Sequence, residues 1–284
     1  MPKLLRPLTA EFIGTLLFVF LGAGSVVAFV ANGPTTGSIG PLGVALAHGV
    51  GMAVIVSMTM NISGGHINPA VTLGLWLGNR FAGRLVWQYV LAQILGAVVG
   101  AALVKAVLPP MAVRLALVGT PRLATEVSFM QGIWIEAALT FFLVSAVLGT
   151  AVSSEAPKIA GFGIGLAIFV DALVGGSFTG AVMNPARAIG PALVAWQWDA
   201  HAVYWIGPVA EDASSNAVRR LTGSTTISSS VSKTIGDRVS VPIAWACWPR
   251  GTVTLASPVA VKVRNVSAGV GGLQVMPSRF RKAM

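Results

Sequence analysis

Long apolar stretches, each with at most one charged residue, follow one another along the first two thirds of the chain. A helix needs about 20 mostly apolar residues to cross the hydrocarbon core of a bilayer. The stretches that reach this length are Phe12–Ala31, Ile39–Met60, Leu85–Val104, Val127–Val152 and Ile159–Phe178. The pattern therefore predicts five membrane-spanning helices and an all-α integral membrane protein.

A sixth apolar stretch begins near Ala200 but is interrupted early. It reaches Glu211 and Asp212 after 11 residues, which is too short for a span. A charged side chain at the centre of a membrane helix costs about 3 kcal/mol or more. We therefore expect a plan of six helices in which the sixth is truncated.

Two shorter apolar segments, Ile67–Leu77 and Met183–Ala195, carry the same tripeptide near their starts. The tripeptide is Asn68-Pro69-Ala70 in the first segment and Asn184-Pro185-Ala186 in the second. Proline suits the first turn of a helix, because its missing N–H has no partner there in any case. Each segment is interpreted as a re-entrant half-helix, which is tolerated at membrane depth only against protein or a water-filled cavity.

The two halves of the chain form an internal repeat. The motif asparagines lie 116 residues apart, and Glu11 and Glu136 lie 125 residues apart. Each half follows the order span, span, half-helix, span. An odd number of spans per half gives the two halves opposite membrane orientations, which makes an inverted repeat. The two half-helices are then expected to enter from opposite faces and to meet near the midplane.

Composition agrees with a membrane protein and excludes other classes. Charged residues make up 10% of the chain, against about 25% in soluble domains, so the composition disfavours an ordinary soluble enzyme and excludes a wholly disordered chain. The net charge is +10, of which residues 1–207 contribute +3 and residues 208–284 contribute +7. Because basic and aromatic residues are not interleaved, this charge does not indicate nucleic-acid binding.

Candidates for metal or catalytic chemistry are sparse. Cys247 is the only cysteine, which excludes an intramolecular disulfide framework and a cysteine zinc cluster. The three histidines are not spaced as metal ligands. Since no nucleophile motif of a hydrolase is present either, we predict no enzyme, no metal and no cofactor.

The paired Asn-Pro-Ala motifs, with Arg187 directly after the second, resemble the signature of the aquaporins, also called major intrinsic proteins. The similarity extends over about residues 8–208. Within it, the glycine-rich stretches before the motifs are similar to those of vacuolar-type and related prokaryotic members. The resemblance implies a passive transmembrane water channel that forms a homotetramer in the lipid bilayer.

The resemblance and the physics of helix ends suggest how such a channel works. Each helix N-terminus carries about half a positive charge, so two that meet would repel protons and cations. Asn68 and Asn184 would donate amide N–H groups to passing water, with ordinary helix capping as the alternative. Glu11 and Glu136 are expected to accept backbone N–H groups of the half-helix loops rather than to transfer protons.

Counting from the motifs carries the family's selectivity filter over to His48, Ala172, Ala181 and Arg187. Strict water channels of the family usually have an aromatic residue at the first position and histidine at the second. Glycerol channels usually have Trp, Gly and Phe, with Asp after the arginine, where this chain has Ala188. The two alanines imply an aperture wider than a strict water filter, with His48 and Arg187 keeping one side polar.

This filter predicts a channel for water that also passes small neutral solutes such as ammonia, hydrogen peroxide or urea. One alternative is a nonconducting membrane scaffold, or a channel made defective by the lost sixth helix. A glycerol facilitator is a further alternative that the filter disfavours. A packing role for His48 and a structural role for Arg187, in which it pairs with loop carbonyl groups, also stay open.

Asp171, His66 and two pairs of glycines support further predictions. Asp171, beside Ala172, is expected to pair with Arg187, to attract ammonium, or to lie at the membrane interface. His66 is interpreted as structural. The pairs Gly96–Gly100 and Gly161–Gly165 are expected to let helices approach closely.

The composition changes sharply after Pro208. We therefore divide the chain into a channel domain, residues 1–208, and an atypical basic tail, residues 209–284, interpreted as disordered or as the product of a frameshift or an incorrect gene model. A genuine extension that contacts anionic lipid is the alternative. Basic residues in the loops favour a cytoplasmic N-terminus; the sequence does not indicate which membrane.

Overall fold

The computed structural model describes residues 2–32, 40–153 and 156–210, and these contain helices and connecting turns but no β-strand. Of the tail expected at 209–284, residues 211–284, which include the Glu211–Asp212 interruption, lie outside the described residues. The helices are α1 (Pro2–Asn32), α2 (Gly40–Ser63), α3 (Pro69–Leu77), α4 (Gly83–Val107), α5 (Pro110–Leu115), α6 (Phe129–Val147), α7 (Phe162–Gly175), α8 (Pro185–Ala195) and α9, which begins at 203 and continues to 210.

Four of the five predicted spans are long enough to cross a membrane. They cover Leu4–Ala31, Gly40–Ser63, Gly83–Val107 and Phe129–Val152, the last of which joins α6 to a single π-helical turn. These apolar helices confirm the prediction of an all-α integral membrane protein. The first helix is longer than its apolar stretch, because the chain before Phe12 continues the same helix.

The fifth predicted span, Ile159–Phe178, is only partly helical. Its helix α7 has 14 residues, which corresponds to about 21 Å. The chain enters α7 through a turn in which Ala160 has a φ of 51°, and after Gly175 it continues as a turn towards the second motif. The apolar composition of these flanking residues therefore predicted a longer helix than the structure contains.

Both predicted half-helices are present, and each begins at the proline of its motif. Helix α3 has 9 residues and α8 has 11, so they are about 14 and 17 Å long and end inside the thickness of a bilayer. Asn68 caps α3 by accepting a hydrogen bond from the Ala70 amide, and Asn184 caps α8 by accepting from the amides of Ala186 and Arg187.

Glycines hold the long helices at close range, as their spacing predicted. A Cβ atom at Gly96 of α4 would lie 2.2 Å from the Phe12 carbonyl oxygen of α1, and one at Gly100 would lie 2.5 Å from the Leu16 carbonyl oxygen. In the other half, a Cβ atom at Gly165 of α7 would lie 2.4 Å from the Gly49 carbonyl oxygen of α2. Backbone therefore packs directly on backbone in both halves.

The outer surface suits a lipid environment. Large apolar side chains such as Val54, Met58, Leu91 and Leu95 are exposed on the long helices, where hydrocarbon would surround them. On α4, the exposed Trp87 and Lys105 lie 18 residues apart, about 27 Å along a helix. This separation approaches the thickness of a hydrocarbon core, about 30 Å.

We expect the substitution Gly96→Ala to destabilise the protein by about 1–3 kcal/mol, because the added methyl meets backbone that cannot move without separating α1 from α4. Thermal unfolding of the protein in detergent measures the effect. Gly149→Ala is the matched control, since nothing lies within 4 Å of the position its Cβ would take. Equal unfolding temperatures for the two variants would contradict this account of the helix contact.

Candidate pore and selectivity filter

The two half-helix loops are joined by a reciprocal pair of hydrogen bonds. The side-chain Nδ2 of Asn68 donates to the Met183 carbonyl oxygen over 2.8 Å, and Nδ2 of Asn184 donates to the Ile67 carbonyl oxygen over 3.0 Å. The two predicted motifs are thus in contact, as the inverted repeat requires. An asparagine amide has two N–H donors, so each motif asparagine retains one for another acceptor.

The residues that precede the asparagines have a rare backbone conformation. Ile67 and Met183 have φ values of 54° and 50°, in the left-handed region that side chains with a Cβ seldom adopt. Such a conformation costs about 1–3 kcal/mol. It turns the two carbonyl groups towards the opposite loop, where the asparagines bind them.

Glu11 holds the first loop in this conformation. Its Oε2 accepts hydrogen bonds from the Ile67 amide and from Nε2 of Gln93, both over 2.7 Å. Its Oε1 accepts from the His66 amide over 3.0 Å and from the Ser63 hydroxyl over 2.6 Å. Since Glu11 is 0% exposed, these donors replace the solvation that water would give the carboxylate.

Glu136 repeats this arrangement on the second loop. Its Oε2 accepts from the Met183 amide over 2.7 Å, and its Oε1 accepts from the Val182 amide over 3.0 Å and from the Thr179 hydroxyl over 2.5 Å. Glu136 is also 0% exposed. Every polar contact of the two carboxylates given by the structure is an accepted hydrogen bond, as expected of structural acceptors.

Two further repeated pairs were missed by sequence reasoning. The Tyr89 hydroxyl donates to the Ser63 carbonyl oxygen, and the Tyr204 hydroxyl donates to the Thr179 carbonyl oxygen, both over 2.9 Å. The tyrosines lie 115 residues apart, and Ser63 and Thr179 lie 116 apart. These offsets lie within one residue of the 116 that separates the motifs and could have identified both pairs.

The four predicted filter residues line one cavity of about 710 Å³. His48 comes from α2, Ala172 from α7, Ala181 from the second loop and Arg187 from the first turn of α8. The sequence places them far apart, and the meeting of the two halves brings them together. The cavity wall therefore combines an imidazole and a guanidinium with two methyl groups.

Arg187 is fixed by a loop that the sequence did not indicate. It is 3% exposed, and its Nη1 donates to the Gly119 carbonyl oxygen over 3.1 Å. Gly119 follows a turn in which Leu117 and Val118 have positive φ, and its own φ is 74°. A Cβ at Gly119 would lie 2.7 Å from the Ala23 carbonyl oxygen, so this loop lies directly against α1.

His48 has a defined hydrogen-bonding state. Its Nδ1 lies 2.8 Å from the Val44 carbonyl oxygen. Because a carbonyl only accepts, Nδ1 carries the proton and Nε2 is left as an acceptor in the neutral ring. Phe18 of α1 contacts the ring edge-on, with the ring centroids 5.9 Å apart.

Asp171 and His66 lie beside the site rather than in it. Asp171 is 3% exposed, so it is not an exposed residue of the membrane interface, and its Oδ2 has no hydrogen-bond partner among the residues that the structure describes. His66 is buried between the rings of Phe81 and Tyr89, with Nδ1 3.1 Å from the Thr72 hydroxyl. These contacts agree with a structural role for His66.

In the described part of the chain, no group of three or more His, Cys, Asp or Glu side chains is placed to hold a metal ion. The arrangement instead consists of two half-helix N-termini, two joined loops and a cavity whose lining includes His48 and Arg187.

The fold and this geometry define a membrane channel of the aquaporin type. The family model described as "Major intrinsic protein" matches residues 1–215, and the chain belongs to this family. The match confirms the predicted family and the prediction of a channel rather than an enzyme.

Curated relatives agree with this assignment. The chain is 42% identical to aquaporin TIP1-2 of Musa acuminata over 216 residues, which covers 73% of this chain and 82% of that protein. It is 40% identical to aquaporin-8 of Mus musculus over 206 residues, covering 72% and 77% of the two chains. Among solved structures, the aquaglyceroporin from Plasmodium falciparum matches with a TM-score of 0.69 and 22% identity over 81% of this chain and 99% of that one, which shows a common fold.

We expect Glu136→Gln to destabilise the protein by about 1–3 kcal/mol, because the amide nitrogen would face buried N–H donors that need an acceptor. The unfolding temperature in detergent and the water permeability of reconstituted protein should both fall. Glu126→Gln is the control, since Glu126 is exposed and accepts a hydrogen bond from the neighbouring Thr125 hydroxyl. If the two variants behave alike, the carboxylate does not hold the second loop.

Proposed function

We propose that this protein conducts water passively past its two Asn-Pro-Ala motifs and that ammonia, hydrogen peroxide or urea follow the same route. The observation that carries the proposal is the reciprocal hydrogen bonding of Asn68 and Asn184, next to a cavity lined by all four filter residues. Its relatives are named aquaporins, which supports water as the main permeant.

The paired half-helices support the exclusion of protons. The N-termini of α3 and α8 belong to loops in direct contact, so their partial positive charges add in the same region. The N–H group that each asparagine retains can donate to a water oxygen. A water molecule held in this way is oriented by the protein, and cations are repelled by the same field.

The filter supports a permeant range wider than water. Ala172 and Ala181 each contribute only a methyl group, while Arg187 offers N–H donors. A small neutral molecule that accepts hydrogen bonds can therefore exchange water contacts for contacts with the wall. Glycerol is not proposed, because the filter lacks the residues typical of the family's glycerol channels.

Several family properties belong to the same proposal. We infer a homotetramer in a lipid bilayer with a cytoplasmic N-terminus. We also infer that residues 1–208 form the channel domain and that 209–284 are not the family's native ending. The family match covers residues 1–215, so it includes the whole proposed channel domain and leaves out residues 216–284. A nonconducting protein, the alternative considered above, would show no flux for any solute.

We expect Ala172→His to lower urea permeability at least about tenfold, an increase of about 1.4 kcal/mol in the barrier, while water permeability falls much less. The imidazole would fill space that the methyl group leaves open. Stopped-flow light scattering of proteoliposomes in urea and in sucrose gradients measures both quantities. Ala172→Gly, which keeps the aperture wide, is the control.

A fall in water and urea permeability by the same factor would contradict the assignment of Ala172 to the aperture. Unchanged urea permeability would contradict it as well. An unmodified protein that conducts urea no faster than empty vesicles would limit the proposal to water.

A further inference from the structure

Helix α1 has a gap in its side-chain surface at the point where it meets the filter. Gly22 is buried, and a Cβ atom built on it would lie 2.6 Å from Nε2, 2.9 Å from Cδ2 and 3.3 Å from Cε1 of His48. The three nearest heavy atoms all belong to the imidazole. The ring therefore lies directly on the bare backbone of α1.

The contacts of the ring define its position on three sides. Nδ1 is bound to the Val44 carbonyl oxygen of its own helix, and Phe18, one turn before Gly22, contacts the ring edge-on. The side left open is the cavity, which His48 lines together with Arg187. A ring that cannot lie on Gly22 has this cavity as its available space.

We infer that Gly22 is a specificity-determining residue that acts through His48, by giving the imidazole room to withdraw from the aperture. This inference rests on the proposed function. A Cβ contact below 3.0 Å cannot persist, and the imidazole at the end of two rotatable bonds moves more easily than the packed helix. A side chain at position 22 would therefore move the ring towards Arg187 and narrow the aperture.

The position differs from its neighbours on the same helix. A Cβ atom at Gly24 would find its nearest neighbour, Cδ1 of Leu108, at 3.9 Å, which is an ordinary van der Waals distance. Gly22 and Gly24 thus provide the same substitution on the same helix, one against His48 and one where the added methyl group meets only ordinary van der Waals contacts.

The test compares Gly22→Ala, Gly24→Ala, His48→Ala and the double variant Gly22→Ala/His48→Ala in the full chain. Water and urea permeabilities are measured in proteoliposomes of one lipid composition by stopped-flow light scattering. We expect Gly22→Ala to lower the ratio of urea to water permeability several-fold and Gly24→Ala to leave it unchanged. In the His48→Ala background, Gly22→Ala should have no effect on the ratio, because the ring it displaces is absent.

The outcomes separate this inference from the proposed function. If the unmodified chain conducts no water, the proposed function fails and the inference fails with it. If the chain conducts but Gly22→Ala and Gly24→Ala give the same ratio, only the inference is overturned. An equal effect of Gly22→Ala with and without His48 would also overturn it, since the glycine would then act without the ring.

The same set of variants also tests the inference if Gly22→Ala impairs folding. If Gly22→Ala alone does not give a monodisperse protein in detergent, the inference requires that His48→Ala restores it, because removal of the ring removes the clash. A double variant that stays misfolded would show that position 22 is needed for another contact and would overturn the inference.

Discussion

The channel depends on two buried carboxylates that hold two strained loops. Glu11 binds the amide of Ile67 and Glu136 binds the amide of Met183, and both of these residues have left-handed backbone. Each carboxylate accepts several further hydrogen bonds, which offset the cost of its burial and of the strain. The strained residues then present their carbonyl groups to Asn184 and Asn68. Loss of one carboxylate would therefore affect the half-helix loops of both repeats.

The filter follows from this junction. Because the second loop is fixed, Ala181 and Arg187 take defined places beside Ala172 and His48. Three elements outside the motifs complete the geometry: the Gly119 carbonyl binds Arg187, the Val44 carbonyl orients His48, and Gly22 leaves space for the imidazole. In the proposed channel, backbone groups and the absence of a side chain at Gly22 would thus set the aperture as much as the proposed filter residues themselves.

The sequence allowed predictions for side chains that recur at a fixed offset, but it gave no signal for contacts made by backbone groups. Asn68, Asn184, Glu11 and Glu136 could be predicted, since each recurs at a fixed offset and a buried charge needs a partner. The bond between each asparagine and the opposite carbonyl could not be predicted, because a carbonyl group carries no residue signature. The same holds for the contact of Gly119 with Arg187. Hydropathy predicted the spans but overestimated the length of α7, since the turn residues on both sides of it are also largely apolar.

The most direct test of this account is the osmotic water permeability of the full chain in proteoliposomes, measured by stopped-flow light scattering at several temperatures. If the joined loops form an open passage, vesicles with the protein shrink faster than empty vesicles, and the rate depends weakly on temperature because water crosses without entering hydrocarbon. A rate and a temperature dependence equal to those of empty vesicles would contradict the central claim that this arrangement conducts water.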